Sequence, residues 1–255
     1  MFLREIIKLN DKIHNHDQHP FNIPTVRGLS RISLKRNVTF FVGENGSGKS
    51  TLLEAIAYQC GFHTAGGSRN NQYEVESSDA QLGDYIRLSW MPKVSNGFFL
   101  RAETYYNFAS HIDQLAMDHP STYDSYGGKS LHKQSHGESF LALFNNRFGK
   151  RGIYLLDEPE AALSPQRQIQ FLSIIHELQK NAQFIIATHS PILMGYPMAD
   201  IYNFDASPLS IIEYKETDQY QVTRRFLENR DFYLKEIIED QESDMRNESN
   251  SSHDN

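Results

Sequence analysis

One short stretch decides the fold of this chain: Gly43-Glu44-Asn45-Gly46-Ser47-Gly48-Lys49-Ser50-Thr51. It matches the phosphate-binding loop pattern G-x-x-x-x-G-K-[ST] at every fixed position. Residues 38–42, a β-branched and aromatic run, precede it and predict a buried strand. Residues 52–57 follow it and predict a helix. A strand, a glycine-rich loop and a helix in this order are the context that the motif requires.

The loop predicts a site for the phosphates of a nucleotide, with every residue from Gly43 to Thr51 a candidate contact. Its glycines let backbone N–H groups approach a phosphate without Cβ clashes. The following helix adds unpaired N–H groups and the positive end of its dipole. Lys49 is expected to reach the β- and γ-phosphates, and the Ser50 hydroxyl to take one position on Mg²⁺. The alternative is a glycine-rich turn that happens to carry a lysine.

Composition and charge limit the classes of protein. A length of 255 residues favours one large α/β domain with an elaboration. The net charge of −7 argues against nucleic-acid binding by bulk electrostatics, so DNA as a partner would depend on a local basic patch. The single cysteine, Cys60, excludes an internal disulfide. With no run near the roughly 18–20 apolar residues of a membrane helix and no signal-peptide core, the chain is predicted to be soluble and cytoplasmic.

Strands and loops alternate irregularly in the first half of the chain. Alternating or apolar runs predict an edge strand and then further strands, in residues 2–9, 32–35, 38–42, 84–91 and 97–102. Residues 61–79 and 120–132, rich in small and polar residues, predict loops. Residues 109–117 predict a helix between them.

The second half predicts a regular alternation of helix and strand. The predicted strands are residues 152–156, 182–187, 200–204 and 210–215, and the predicted helices are 139–148, 166–180 and 223–239. The first of these strands is continuously apolar, which is typical of parallel sheets, and the second is predicted to be buried as well. Residues 240–255 are rich in Ser, Asn, Asp and Glu and are predicted to be a disordered acidic tail.

A pair of carboxylates, Asp157-Glu158, ends the apolar strand of residues 152–156. The carboxyl ends of strands in open α/β sheets are where ligands bind. Asp157 is therefore expected to orient the Mg²⁺ hydration shell, and Glu158 to accept a proton from an attacking water. The alternative is that both carboxylates cap the segment that follows.

Two other segments are candidates for phosphate contacts. Ser135 and Glu138 have capping-box spacing, which indicates a helix start. The Ser135 hydroxyl and the Gly137 N–H could also form a second phosphate site there. His189 follows the strand of residues 182–187, so it would face the same sheet edge as Asp157 and could hydrogen-bond a γ-phosphate or the water. A structural histidine is the alternative.

Taken together, GENGSGKST, SHGES, IYLLDEPEAALSP and ATHSP resemble the ABC-type ATPases in their order and approximate spacing. The resemblance implies a P-loop NTPase fold: a mostly parallel sheet, an antiparallel β subdomain and a small helical subdomain. It implies one domain over residues 1–239, in which residues 62–150 form central loops and the helical subdomain. It also implies a dimer that holds ATP between the phosphate loop of one subunit and Ser135 and Gly137 of the other, with residues 161–164 as the D-loop at the seam.

Departures from the transporter pattern favour the non-transport branch, which includes DNA-repair and chromosome-structure ATPases and stand-alone predicted ATPases. SHGES stands where transporters generally carry LSGGQ, and Arg101-Ala102-Glu103 stands where they carry a glutamine loop. The leading hypothesis is a Mg-dependent ATPase that dimerises around ATP and serves a protein partner or a nucleic-acid process. An ATP-driven dimerisation switch with negligible turnover and the ATPase subunit of a membrane transporter are the alternatives. A small-molecule kinase is weaker, because it would not need the SHGES or Thr-His-Ser-Pro elements.

Overall fold

Apolar runs form the strands of two sheets in the computed structural model, which describes residues 1–63, 81–133, 136–147, 151–235 and 238. In chain order the strands are β1 (Leu3–Lys8), β2 (Arg31–Ser33), β3 (Val38–Val42), β4 (Ile86–Trp90), β5 (Gly97–Arg101), β6 (Gly152–Asp157), β7 (Ala182–Ala187), β8 (Ala199–Asn203) and β9 (Ser210–Ile211). The helices are α1 (Pro24–Gly28), α2 (Lys49–Cys60), α3 (Tyr105–Asp118), α4 (His136–Arg147), α5 (Pro165–Leu178) and α6 (Asp218–Glu228).

The main sheet is six-stranded and mostly parallel, with the order β5-β6-β7-β3-β8-β9. Of the strands that the structure describes in this sheet, β9 alone pairs antiparallel, at one edge. A separate three-stranded antiparallel sheet has the order β2-β1-β4. The α/β class with a parallel and an antiparallel sheet is therefore confirmed. One detail was wrong: β1, predicted as an edge strand, is the central strand of the small sheet, because β2 and β4 pair on either side of it.

Two apolar layers cover the faces of the main sheet. Every residue of β3, β6 and β7 is buried, so each strand sends alternate side chains to opposite layers. On β6, Tyr154 and Leu156 face a layer that includes α3, α4 and α5. Ile153 and Leu155 face a layer that includes α2 and the antiparallel sheet. Burial on both faces is the reason that these strands are mostly apolar along their whole length.

Several element boundaries differ from the sequence predictions. Helix α3 begins at Tyr105, earlier than expected, because Tyr105 and Phe108 pack into the core. Residues 120–132, predicted as a loop, contain the 3-10 turns Pro120–Tyr126 and Leu131–Lys133. The strand predicted at 210–215 pairs only over Ser210–Ile211, since Tyr214 leaves the ladder to pack on the core and donate to the Pro191 carbonyl at 2.9 Å.

The chain divides into two compact units, Met1–Tyr214 and a second beginning at Lys215. In the second unit, α6 starts earlier than predicted because Thr217 caps it, accepting a hydrogen bond from the Tyr220 N–H. Most of the loop predicted at 61–79 and the tail predicted at 240–255 lie outside the described residues. The single domain over residues 1–239 stays a prediction. Within the described ranges, no helix is long and apolar enough to cross a membrane.

Gln183 joins the two sheets of the first unit. Its Oε1 accepts the N–H groups of Phe2 and Leu3 at 2.9 and 2.8 Å, and its Nε2 donates to the Leu3 carbonyl at 2.9 Å. Gln183 lies on β7 and is 0% exposed. A polar residue in a buried strand is thus satisfied by the backbone at the start of β1.

Replacing Gln183 with Ala is expected to lower the free energy of unfolding by about 3 kcal/mol or more, because it leaves several buried backbone groups unsatisfied. Chemical denaturation of both proteins measures the difference. Gln170→Ala is the matched control, since Gln170 is exposed on α5 and its removal should change stability by no more than about 0.5 kcal/mol. Equal stability of the two variants would contradict the assigned role of Gln183.

Candidate active site

The glycine-rich loop between β3 and α2 adopts a backbone that few other residues could follow. Gly43, Gly46 and Gly48 have φ of +146°, +79° and +99°, a region that L side chains rarely adopt. A Cβ on Gly43 would also lie 2.9 Å from Oδ1 of Asp205. The loop ends at Gly48, which is the N-cap of α2, so the unpaired N–H groups of that helix open directly onto the loop.

Lys49 folds back over the loop. Its Nζ donates to the carbonyls of Gly43 at 2.8 Å and Glu44 at 2.9 Å, and the residue is 5% exposed. Burial lowers the pKa of the Lys49 ammonium, and the nearby carboxylates, of which Glu158 and Asp205 act most strongly, oppose that shift. The loop carbonyls therefore hold a buried ammonium group at the opening of the loop.

Ser50 and Asp157 meet where α2 begins and β6 ends. The Ser50 hydroxyl donates to Oδ1 of Asp157 at 2.9 Å. Burial raises the pKa of Asp157 to about 6, although the Arg101 guanidinium and the Ser50 hydrogen bond act in the opposite direction. A hydroxyl and a carboxylate side by side are hard oxygen donors of the kind that Mg²⁺ takes. These two residues fit one edge of a magnesium site.

Arg101 was not assigned a role from the sequence. It ends β5 in register with Asp157 on β6. Its Nη1 lies 2.5 Å from Oε1 of Glu54 on α2, and its Nε lies 3.6 Å from Oδ2 of Asp157. All three side chains are at least four-fifths buried. The parallel pairing of β5 and β6, which the sequence did not reveal, brings them together.

Glu158 and His189 lie on the same edge of the sheet. Among the described residues, Glu158 is the one non-glycine with positive φ, at 50°, and such conformations cluster at functional sites. The Glu158 N–H donates to the Ala187 carbonyl at 3.0 Å, which ties the end of β6 to the end of β7. His189 Nε2 lies 3.7 Å from Oε1 of Glu158. The side chains of His189 and Glu158 are 32% and 41% exposed, but the His189 Nε2 atom itself is buried and accepts or donates no hydrogen bond within the described structure.

Glu160 holds the His189 segment in place and was missed by sequence reasoning. Its Oε1 accepts the His189 N–H at 2.6 Å. Burial raises the pKa of the Glu160 carboxyl, and hydrogen bonds from His189 and Thr188 oppose that shift. Gln168 makes a second link: it accepts the Ser190 hydroxyl at 2.5 Å and donates to the Leu163 carbonyl at 3.0 Å. The segments after β6 and β7 are therefore coupled.

Asp205 is another residue without a sequence assignment. Its carboxylate accepts the Glu44 N–H, with distances of 2.8 and 3.1 Å to its two oxygens. Asp205 follows β8, the strand next to β3, so its proximity to the loop depends on the sheet order. The sequence signal for Asp205 is its position as a carboxylate directly after the strand predicted at residues 200–204.

The predicted second phosphate site is described only in part. Ser135 lies outside the described residues. Gly137 lies in the first turn of α4, where a Cβ would be 2.5 Å from Cδ of Arg167. Nη2 of Arg167 also lies 3.5 Å from Oε1 of Glu138. A polar cavity of about 600 Å³ opens beside this contact, between α4 and α5. The structure thus groups Lys49, Ser50, Asp157, Glu158 and His189, and places Gly137 beside Arg167.

Two family models match separate segments of the chain. Residues 12–112 match one described as "AAA domain", and residues 140–195 match one described as "AAA domain, putative AbiEii toxin, Type IV TA system". Each model covers less than half of the chain; both describe AAA domains, and the strand order and the loop agree with the P-loop fold that the motifs predicted.

Curated relatives carry transport names. The nisin transport ATP-binding protein NisT of Lactococcus lactis subsp. lactis is 27% identical over 175 residues, covering 61% of this chain and 29% of NisT. The putative ABC transporter ATP-binding MG390 of Mycoplasma genitalium is 31% identical over 145 residues, covering 54% and 21%. The chain thus spans less than a third of either relative. A solved structure of cbiO1 from Clostridium perfringens matches 92% of this chain and 100% of its own at 16% identity and a TM-score of 0.46.

The raised pKa of Asp157 has a consequence for stability in the absence of metal. Because folding raises the pKa of Asp157, protonation of this carboxyl stabilises the native state. Its contribution to the free energy of unfolding is complete below the ordinary pKa of 3.8 and is lost as pH rises through about 6. Asp157→Asn removes the ionisation. Relative to the wild type, it should therefore gain about 2 kcal/mol more stability at pH 7.5 than at pH 4.5.

Thermal or urea denaturation of both proteins without divalent metal, at the two pH values, measures this double difference. Comparing variant with wild type at each pH removes the contribution of every other titrating group. A gain that is equal at pH 4.5 and pH 7.5 would show that burial does not disfavour the Asp157 carboxylate.

Proposed function

We propose that this protein binds Mg-ATP at the loop of residues 43–51 and hydrolyses it. The observation that carries the proposal is the 2.9 Å contact between the Ser50 hydroxyl and Asp157, at the mouth of a phosphate-binding loop. It places two oxygen donors suited to Mg²⁺ beside the N–H groups and the ammonium suited to a triphosphate. The AAA-domain matches over residues 12–112 and 140–195, which contain the loop and the carboxylates, support the same activity.

Each residue has a role in this proposal. The loop N–H groups and the N-terminus of α2 bind the phosphates, and Lys49 exchanges its contacts with loop carbonyls for contacts with phosphate oxygens. Ser50 and Asp157 hold Mg²⁺, which when bound would offset the negative charge of the phosphates. The other residues of the loop 43–51 shape the pocket around the phosphates.

Glu158 is the general base of the proposed reaction. Its side chain is 41% exposed, and the left-handed backbone sets it apart from the neighbouring Asp157, so that one carboxylate serves the metal and the other the water. His189, 3.7 Å away, would hydrogen-bond the γ-phosphate or the water. Glu160 keeps His189 in this position through the 2.6 Å bond to its backbone N–H.

The proposed active form is a head-to-tail dimer around ATP. Ser135 and Gly137 would then serve the nucleotide bound by the partner subunit. A buried, Cβ-free position at the first turn of α4 and the adjoining polar cavity support this role, since a helix N-terminus favours anions and the cavity leaves room for another surface. The D-loop, residues 161–164, would lie at the seam, where the Gln168 bond to the Leu163 carbonyl fixes its end.

The role of an ATPase subunit in a membrane transporter is a second candidate, favoured by the transport names of the curated relatives. We favour the non-transport branch, with a protein or nucleic-acid partner, because SHGES stands in place of the transporter signature and Arg101-Ala102-Glu103 in place of the glutamine loop. Co-purification with an integral membrane protein would decide for the transporter. Stimulation of ATP hydrolysis by double-stranded DNA or by a captured non-membrane protein would decide against it.

Glu158→Gln is expected to bind Mg-ATP, lower turnover by about a hundredfold or more and convert the protein to a stable dimer, since the base is lost while the phosphate contacts remain. Lys49→Ala should abolish nucleotide binding. Steady-state phosphate release measures the turnover, and light scattering with Mg-ATP measures dimer formation. Arg31→Gln is the matched surface control, because the Arg31 side chain is more than half exposed and its ion pair with Glu5, at 3.3 Å, lies on the antiparallel sheet.

The outcomes separate the hypotheses. Wild-type turnover no faster than that of Glu158→Gln would favour an ATP-driven dimerisation switch. A Glu158→Gln protein that binds Mg-ATP and stays monomeric would contradict the dimer. Wild type and Lys49→Ala that bind Mg-ATP equally would contradict the site itself.

A further inference from the structure

The two oxygens of Asp157 face different partners. Oδ1 accepts the Ser50 hydroxyl at 2.9 Å, and Oδ2 lies 3.6 Å from Nε of Arg101. The Arg101 guanidinium is shared with other carboxylates, since Nη1 lies 2.5 Å from Glu54 and Nη2 lies 3.4 Å from Glu103. A carboxylate suited to a metal ion is thus partly neutralised by a protein cation.

The backbone around this group is held by strand pairing, whereas the Arg101 side chain has contacts on both sides, with Glu54 and with Asp157. Arg101 pairs with Asp157 across β5 and β6, and the next N–H, of Ala102, donates to the Asp157 carbonyl at 3.2 Å. Glu54 lies on α2, one helical turn after Ser50. The contact between Nη1 and Glu54 does not involve Asp157, so it can be kept while the rest of the guanidinium moves away from Asp157, without any change in the strands.

A guanidinium and Mg²⁺ cannot share Asp157 freely, because both are positively charged and the side chains around them are mostly buried, which limits screening by water and salt. A metal ion bound at Ser50 and Asp157 would be repelled by the nearby positive charge of Arg101. Glu54 reduces that field by holding the guanidinium in a close contact.

We propose that Arg101 is a positioning residue that sets the magnesium requirement of nucleotide binding. Arg101 neutralises Asp157 while no metal is bound, and Glu54 retains the guanidinium when Mg-nucleotide takes Asp157 over. This inference rests on the proposed binding of Mg-ATP. Its consequence is that the protein resists loading with nucleotide until free Mg²⁺ is high enough to displace the guanidinium.

Titration of nucleotide binding against free Mg²⁺ tests the inference, with a fluorescent non-hydrolysable ATP analogue as the probe. Arg101→Gln removes the competing charge and should lower the half-saturating Mg²⁺ concentration by about fivefold or more. Glu54→Gln removes the carboxylate that holds the guanidinium, so Arg101 would pair more closely with Asp157. The half-saturating Mg²⁺ concentration should then rise by a similar factor. Arg31→Gln, at an exposed ion pair on β2, should leave it unchanged.

A double variant separates displacement of Arg101 from the general field of nearby charges. If Glu54 acts through Arg101, the effect of Glu54→Gln falls away in the Arg101→Gln background. Additive effects of the two substitutions would overturn the proposal. So would an Arg101→Gln protein whose magnesium requirement is unchanged or higher, the result expected if the ion pair only supports the fold.

Melting temperatures without metal show whether each variant is folded. If Arg101→Gln does not fold, Glu54→Gln decides: a magnesium requirement that is unchanged or lower overturns the inference. If the wild type binds no nucleotide at any magnesium concentration, the proposed function fails and this inference fails with it. If the wild type binds with a magnesium dependence that neither variant moves, only the inference on Arg101 fails.

Discussion

The site depends on a hydrogen bond between residues 107 positions apart in the chain, the Ser50 hydroxyl and the Asp157 carboxylate. It joins the first turn of α2 to the last residue of β6, and so fixes where the glycine-rich loop lies relative to the carboxyl edge of the sheet. Asp157 is 6% exposed, and its burial is unfavourable for the charged carboxylate until a cation or donor compensates it. Ser50 and Arg101 supply part of that compensation, and a divalent ion would supply the rest.

The strand order distributes the chemistry around this contact. Strand β7 lies between β3, which leads into the loop, and β6, which ends in Asp157. His189, which follows β7, therefore lies between the phosphate loop and the carboxylate pair. Bonds from Glu158 to Ala187 and from Glu160 to His189 hold the ends of β6 and β7 together. A displacement of either segment would therefore move the proposed base and the histidine as a unit.

Local sequence patterns predicted the parts of the fold that depend on local chemistry. The glycines at 43, 46 and 48 indicated the loop because only such residues allow its backbone, and the apolar runs of β6 and β7 indicated buried parallel strands. The side chains that support the site or join the two sheets were not predicted. Arg101, Glu160, Asp205 and Gln183 each depend on which strands are neighbours and in what register, and spacing along one sequence does not reveal that.

Boundaries were least predictable where tertiary packing overrides local preference. Tyr105 extends α3 because its ring packs in the core, and Tyr214 shortens the edge strand for the same reason. Residues 120–126 form a 3-10 helix although their composition is that of a loop, and Tyr123 and Tyr126 pack against the core there. Burial of aromatic side chains accounts for these differences.

The central claim is that the loop, Lys49, Ser50 and Asp157 together hold a magnesium-bound triphosphate. A crystal structure with Mg²⁺ and a non-hydrolysable ATP analogue tests it most directly. We expect phosphate oxygens on the loop N–H groups and on Lys49, with the metal ion at the Ser50 hydroxyl and near Asp157. A nucleotide bound elsewhere, with the Ser50–Asp157 contact unchanged and no metal beside it, would show that these residues do not form the site.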